Sequence, residues 1–189
     1  MSPPAPPELR RSASSLRIEM APFKEPDDFE RLDYALLQNG PITLYYCAEV
    51  LAADLDWLTA HEYRIDSFDC SVWHGEKDMH TALAEKLNFP KYPSPNLDGL
   101  NDFLSDLDVS ERGGRALVFH RFDVFAVEFP SISWTLLDIV ASNSRHFLLL
   151  GKHLMSLVQS DDPKIQFNPV GACPVTWNRK EWLNKDRGL

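Results

Sequence analysis

Three short runs read as strands, residues 42–46, 63–69 and 116–119, and stretches with the apolar spacing of helices separate them. No other feature constrains the fold as much. Adjacent antiparallel strands need only a tight turn, whereas parallel strands need a crossover of roughly a dozen residues or more. Val50, Leu51, Leu55 and Leu58 supply a helical crossover between the first two runs, which then read as a parallel pair. A further helix carries Leu83 and Leu87 on its inner face, with Asp78 as its expected N-cap. Another is expected from about Pro95 to Leu107. The expected class is therefore α/β, a small and mostly parallel sheet flanked by helices.

The remaining chain fits around that frame. Phe29, Leu32, Leu36 and Leu37 recur at helical spacing until Gly40 and Pro41 stop the pattern. Gly113 and Gly114 break the chain before the third strand. Residues 125–160 read as mostly helical, in pieces divided about Pro130 and Gly151, and residues 164–170 read as a last strand. Between Trp177 and Trp182 a short amphipathic piece is expected to dock on the core, a partner-binding patch being the alternative. Residues 1–26, rich in Pro and Ser, have too little apolar surface to order themselves and read as a disordered tail. Residues 27–62 read as a helix–strand–helix extension that adds one strand at a sheet edge. Residues 63–189 read as the main domain with a C-terminal extension.

Charge and motif content exclude several functions. The formal net charge of −9 argues against nucleic acid as a partner, because phosphate contacts need Lys and Arg. It suits a basic protein partner or, more commonly, plain solubility. Cys47, Cys70 and Cys173 are odd in number and widely spaced, as expected of free thiols in a reducing compartment. Arg10 and Arg11 precede no apolar run, and no apolar stretch is long enough to span a bilayer. A cytoplasmic monomer without membrane association is expected. The six histidines form no metal-ligand spacing, and phosphate-loop and nucleophile-elbow patterns are absent, so no metal, cofactor or catalytic residue is assigned. His74, Asp78 and His80 are weighed as ligands and His120 as a strand-end group, but ordinary polar roles fit them better.

The most informative segment runs from Tyr92 to Glu111, which holds five acidic residues and no basic one. On a helix at about 100° per residue, Leu97, Leu100, Phe103, Leu104 and Leu107 share one stripe. Asp98, Asp102 and Asp106 fall at i, i+4 and i+8 on the other side. Like charges at this spacing cost a few tenths of a kcal/mol, and Gly99 inside the helix adds roughly 0.5–1 kcal/mol. Such a helix can be a surface kept for a cationic partner. Spacing alone favours the plainer reading, an acidic face turned to water.

Two motifs shift that balance. Leu87, Pro90 and Tyr92 form a Leu-x-x-Pro-x-Tyr pattern after the helix that begins near Met79, and Asn96, Leu97, Asp98 and Leu100 form Asn-Leu-Asp-x-Leu. Together they resemble the signature of the barstar family, and the resemblance extends over about residues 63–170. It implies a small parallel sheet with flanking helices and tight inhibition of a secreted ribonuclease. It further implies that Tyr92 packs on the nuclease, that Asp98 is the first interface carboxylate, and that Asp102 stands where an RNA phosphate would stand. The implied partner-binding set is Tyr92, Asn96, Asp98, Asn101, Asp102 and Asp106. Pro93, Ser94 and Pro95 replace the aromatic and glycine common after the loop tyrosine, and Asn101 stands where a bulky aromatic can precede the central aspartate. The partner would be a basic ribonuclease or nuclease toxin. An immunity protein against a toxin of another kind, and a small α/β enzyme using Asp98, Asp102 and a histidine, remain as alternatives.

Overall fold

Parallel strands need helices on their faces, so a central strand should be apolar on both sides. The computed structural model, which describes residues 26–89 and 96–189, has this character. A 3-10 helix at Pro26–Glu30 leads into α1 (Leu32–Leu37), β1 (Ile42–Tyr45), α2 (Ala48–Ala60) and β2 (Tyr63–Asp69). A 3-10 turn at Cys70–Val72 precedes α3 (Glu76–Leu87) and α4 (Leu97–Ser105). Then come β3 (Gly114–His120), α5 (Phe122–Glu128), α6 (Pro130–Leu149), β4 (Leu154–Gln159), β5 (Thr176–Trp177) and a terminal 3-10 helix at Asn184–Arg187. The strands form one sheet in the order β2-β3-β4-β1-β5, and every pairing is parallel. Edge strand β2 alternates between buried and exposed, whereas β1 and β4 are buried throughout.

Alternation along the strands divides the core in two. Phe68, Leu117, Phe119, Leu154 and Val158 pack with Met79, Leu83, Leu100, Leu104, Phe125 and Val140, so α3 to α6 cover one face. Tyr63, Ala116, Val118, Met155 and Leu157 pack with Leu32, Leu36, Leu51 and Leu58, so α1 and α2 cover the other. The molecule is a three-layer α/β/α sandwich, with α4 in the outer layer of the first face.

Several expectations need correction. β1 and β2 are parallel but not neighbours, since β1 pairs with β4 and two strands intervene. The strand of the N-terminal extension is not the outermost one, because the two-residue β5 pairs along its free side. Residues 154–159, read as the end of a helical stretch, form β4 at the centre of the sheet. A short run buried on every side carries no period, so helix and strand look alike there. Residues 164–170 pair with no other strand. They alternate, with Ile165 buried and Lys164 and Gln166 exposed, but only an isolated antiparallel bridge between Val170 and Cys173 forms. Asp78 is not the cap of α3. Gly75 is, and the Asp78 carboxylate in the first turn accepts the His74 backbone N–H at 2.9 Å. The expected tail, apart from Pro26, lies outside the described residues, as does Tyr92.

Two glycines that read as a chain break are required by close packing. A Cβ on Gly113 would lie 2.3 Å from the Glu62 carbonyl oxygen, and one on Gly114 would lie 2.5 Å from the Tyr63 ring and 2.6 Å from the His153 carbonyl oxygen. β2 and β4 therefore close around the start of β3 only because these positions lack side chains. Beside them sits a buried polar network. The Tyr63 hydroxyl donates to Asp33 at 2.8 Å and lies 2.7 Å from His153 Nδ1, and Arg31 donates to both Asp33 oxygens. It ties α1 to the starts of β2 and β4.

The C-terminal segment is fixed in the same way. Tyr45, Asn178 and Lys180 donate to buried Asp54 on α2. Buried Glu181 accepts the Tyr46 and Cys47 backbone N–H groups at the start of α2, where a helix favours negative charge. The Arg187 guanidinium lies over Trp177, 4.4 Å from the ring centroid. The terminal piece thus docks on the core, while Trp182 stays more than half exposed.

Candidate functional site

α4 has nine residues, too short to be stable by itself, so its neighbours must hold it. Asn96 is extended and its side-chain oxygen accepts the Gly99 N–H at 2.7 Å, satisfying one of the helix's orphan donors. Leu100 and Leu104 are fully buried, and Phe103 stacks on Phe89 with ring centroids 5.2 Å apart. Leu107 and Val109 continue the buried side past the helix end. This is the apolar stripe read from the sequence.

The opposite side carries Asp98, Asp102 and Asp106, all exposed. None of the three forms an ion pair among the described residues. At about 1.5 Å rise and 100° per residue, they make a band about 12 Å long and some 80° wide. Asp98 lies in the first turn, where the helix dipole favours it, and Asp106 is the C-cap, where the dipole does not. Three rigidly spaced carboxylates without an internal cation can bind a cluster of Arg, Lys or protonated His groups. The described residues contain no group of three or more His, Cys, Asp or Glu placed to hold a metal ion.

Five of the six residues in the implied set lie on or next to this one helix, and Tyr92 lies outside the described residues. Asn101 differs in kind from the aspartates. Its side-chain oxygen accepts the Nδ2 hydrogen bond of Asn143 on α6 at 3.0 Å. Asn143 is buried and also donates to the Ile139 carbonyl at 2.9 Å. The loop after α4 is held by Arg115, which is buried, pairs with Asp66 at 2.6 Å and donates to the Asp108 carbonyl at 3.0 Å. The sequence reading did not single out Asn143 or Arg115. The signal was available: each is a polar residue inside an otherwise apolar pattern, Arg115 ahead of Ala116–Phe119 and Asn143 between Ile139 and Phe147.

Other polar groups near the strand ends and on α3 are accounted for by their contacts. Asp69, at the carboxyl end of β2, accepts from the Ser71 hydroxyl at 2.7 Å and from Arg121. Those bonds, that of Ser71 foremost, hold its carboxyl below the usual range. His120 at the end of β3 is half-buried, and that burial lowers its imidazole below its ordinary value. His80 is buried and lies 3.3 Å from Glu76. No helix among the described residues is long and apolar enough to cross a membrane.

One protein family, described as Barstar (barnase inhibitor), matches residues 52–159. The matched span runs from within α2 to the end of β4, and so contains α4 and the pairings of β2, β3 and β4. A search of curated proteins gave no match.

Proposed function

The chain belongs to the barstar family, which matches more than half of its length, and from that premise we propose that it is a non-enzymatic inhibitor of a basic, secreted or toxin ribonuclease. The observation that carries this reading is the band of Asp98, Asp102 and Asp106, exposed on α4 and without an ion pair among the described residues. A ribonuclease cleft gathers Arg, Lys and His to receive a phosphate. Carboxylates already fixed on a helix supply the same charge with little ordering cost on association. The inhibitor then blocks the cleft without being cleaved, since it offers no phosphodiester. Asp98 and Asp102 are the core of this surface, with Asn96 and Asp106 at its two ends. Tyr92 belongs to the surface by its place in the loop motif. The setting is a cytoplasm in which an escaped or imported nuclease must be neutralised, and free Cys47, Cys70 and Cys173 suit a reducing compartment.

Titration against barnase tests the proposal, with RNA cleavage as the readout. Stoichiometric loss of cleavage is expected, with tight binding that weakens as salt is raised, because exposed charges steer association. Full cleavage at micromolar excess of the protein sinks barnase-type ribonucleases as its target.

A further inference from the structure

Directional contacts hold α4 at its ends, whereas its middle rests on leucines. The Asn96 cap fixes the first turn, and Arg115 fixes the following loop through the Asp108 carbonyl. Leu100 and Leu104 bury the middle, but apolar burial is non-directional and fixes the rotation of a helix about its axis less sharply than a hydrogen bond does. Rotation matters here. A side-chain head lies about 5–6 Å from a helix axis, so a turn of about 20° moves it by about 2 Å. Productive sites tolerate roughly 0.5 Å.

Asn101 sits at the seam between the two sides of α4, about 60° from Asp98 and about 100° from Asp102. Its side chain is the one on α4 that a polar group of α6 reaches among the described hydrogen bonds, and the donor is buried Asn143. Asn143 spends one amide hydrogen on the Ile139 carbonyl of its own helix, which fixes its side chain, and directs the other at Asn101. A leucine would fill this apolar part of α6 without any need for a partner. We propose that Asn143 is a positioning residue that sets the rotation of α4 through Asn101, and with it the direction in which Asp98 and Asp102 point. On this view Asn101 orients the acidic band, and the partner engages the aspartates beside it. The inference rests on the reading of α4 as the binding surface.

Amide hydrogen exchange on the full chain tests the latch without any partner. In Asn143→Leu, the amides of residues 100–106 should exchange several-fold to about tenfold faster than in the wild type, while those of β3 stay protected. Asn101→Leu, at an exposed position, should do the same if Asn143→Leu fails to fold. Asn101→Asp keeps an acceptor oxygen for Asn143 and should retain slow exchange, whereas Asn101→Leu, branched alike at Cγ but without an acceptor, should lose it. Wild-type exchange of α4 in Asn101→Leu overturns the proposal, as does fast exchange in Asn101→Asp. Barnase supplies the second arm: Asn143→Leu should dissociate about tenfold faster at an unchanged association rate. If the wild type does not bind barnase, barnase-type ribonucleases fall as its target, and the exchange result still decides whether the latch exists.

Discussion

A carboxylate on α4 matters according to how dry it becomes in a complex. Asp102 is central in the band, so a partner would surround it with cations and exclude water. Asp102→Ala would then strand those cations, a loss of about 3–5 kcal/mol, or roughly two to four orders of magnitude in affinity. Asp106→Ala, at the rim, should change mainly the association rate and its salt dependence. Stopped-flow kinetics at two ionic strengths separate the two. Away from this surface, burial holds the His153 imidazole below its ordinary value. Asp33 beside it is low as well, because the Arg31 and Tyr63 hydrogen bonds outweigh the opposing effect of burial. The unfolded chain takes up the histidine proton near pH 6.5, and the folded chain does so only at lower pH. Stability should be full above that range and decline as pH falls through it, with Asp33 adding a further loss in more acid solution. Buried Glu181, pushed up, acts in the opposite sense near its own titration. Urea midpoints at pH 5 and pH 7.5 should show the decline, and His153→Gln should shrink it. At this scale the sequence revealed the aspartates by their spacing. It could not reveal that Asn101 is bound to Asn143, because a contact between residues 42 positions apart leaves no local pattern.

Among the elements, α4 was the most legible. Its cap, stripe and acidic band all follow from local sequence. Asn96→Ala should cost about 1 kcal/mol of stability and loosen the first turn, which thermal unfolding and exchange at Gly99 and Leu100 would report. β4 was the least legible. It is buried on both faces and follows a 20-residue helix after only a short link, so a continued helix was the natural reading of its apolar run. β5 is two residues long and exists by pairing with β1, a tertiary fact with no sequence period. Gly114→Ala tests how tightly these strands close. The added methyl meets the Tyr63 ring and the His153 carbonyl, and a loss of about 1–3 kcal/mol is expected in urea unfolding.

The whole molecule was legible as a class and not as a layering. Alternating strands and helices fixed an α/β sheet. That α1 and α2 cover a second face could not be seen, since the amphipathicity of a helix does not say which side of a sheet it meets. The family match begins inside α2 and ends with β4, so it leaves out α1, β1 and the docked C-terminal segment. A chain cut to residues 52–159 should therefore bare the hydrogen-bonding edge of β4 and much of the apolar face formed by Ala116, Val118, Met155 and Leu157. It should aggregate where the full chain does not, as light scattering at equal concentration would show. The layering also makes the protein two-sided. The acidic helix occupies one broad side and α2 the reverse, with the sheet between them. A fluorophore, an affinity handle or a surface tether attached to an exposed position of α2, such as Ala52 or Asp56, would leave the opposite side open for capture.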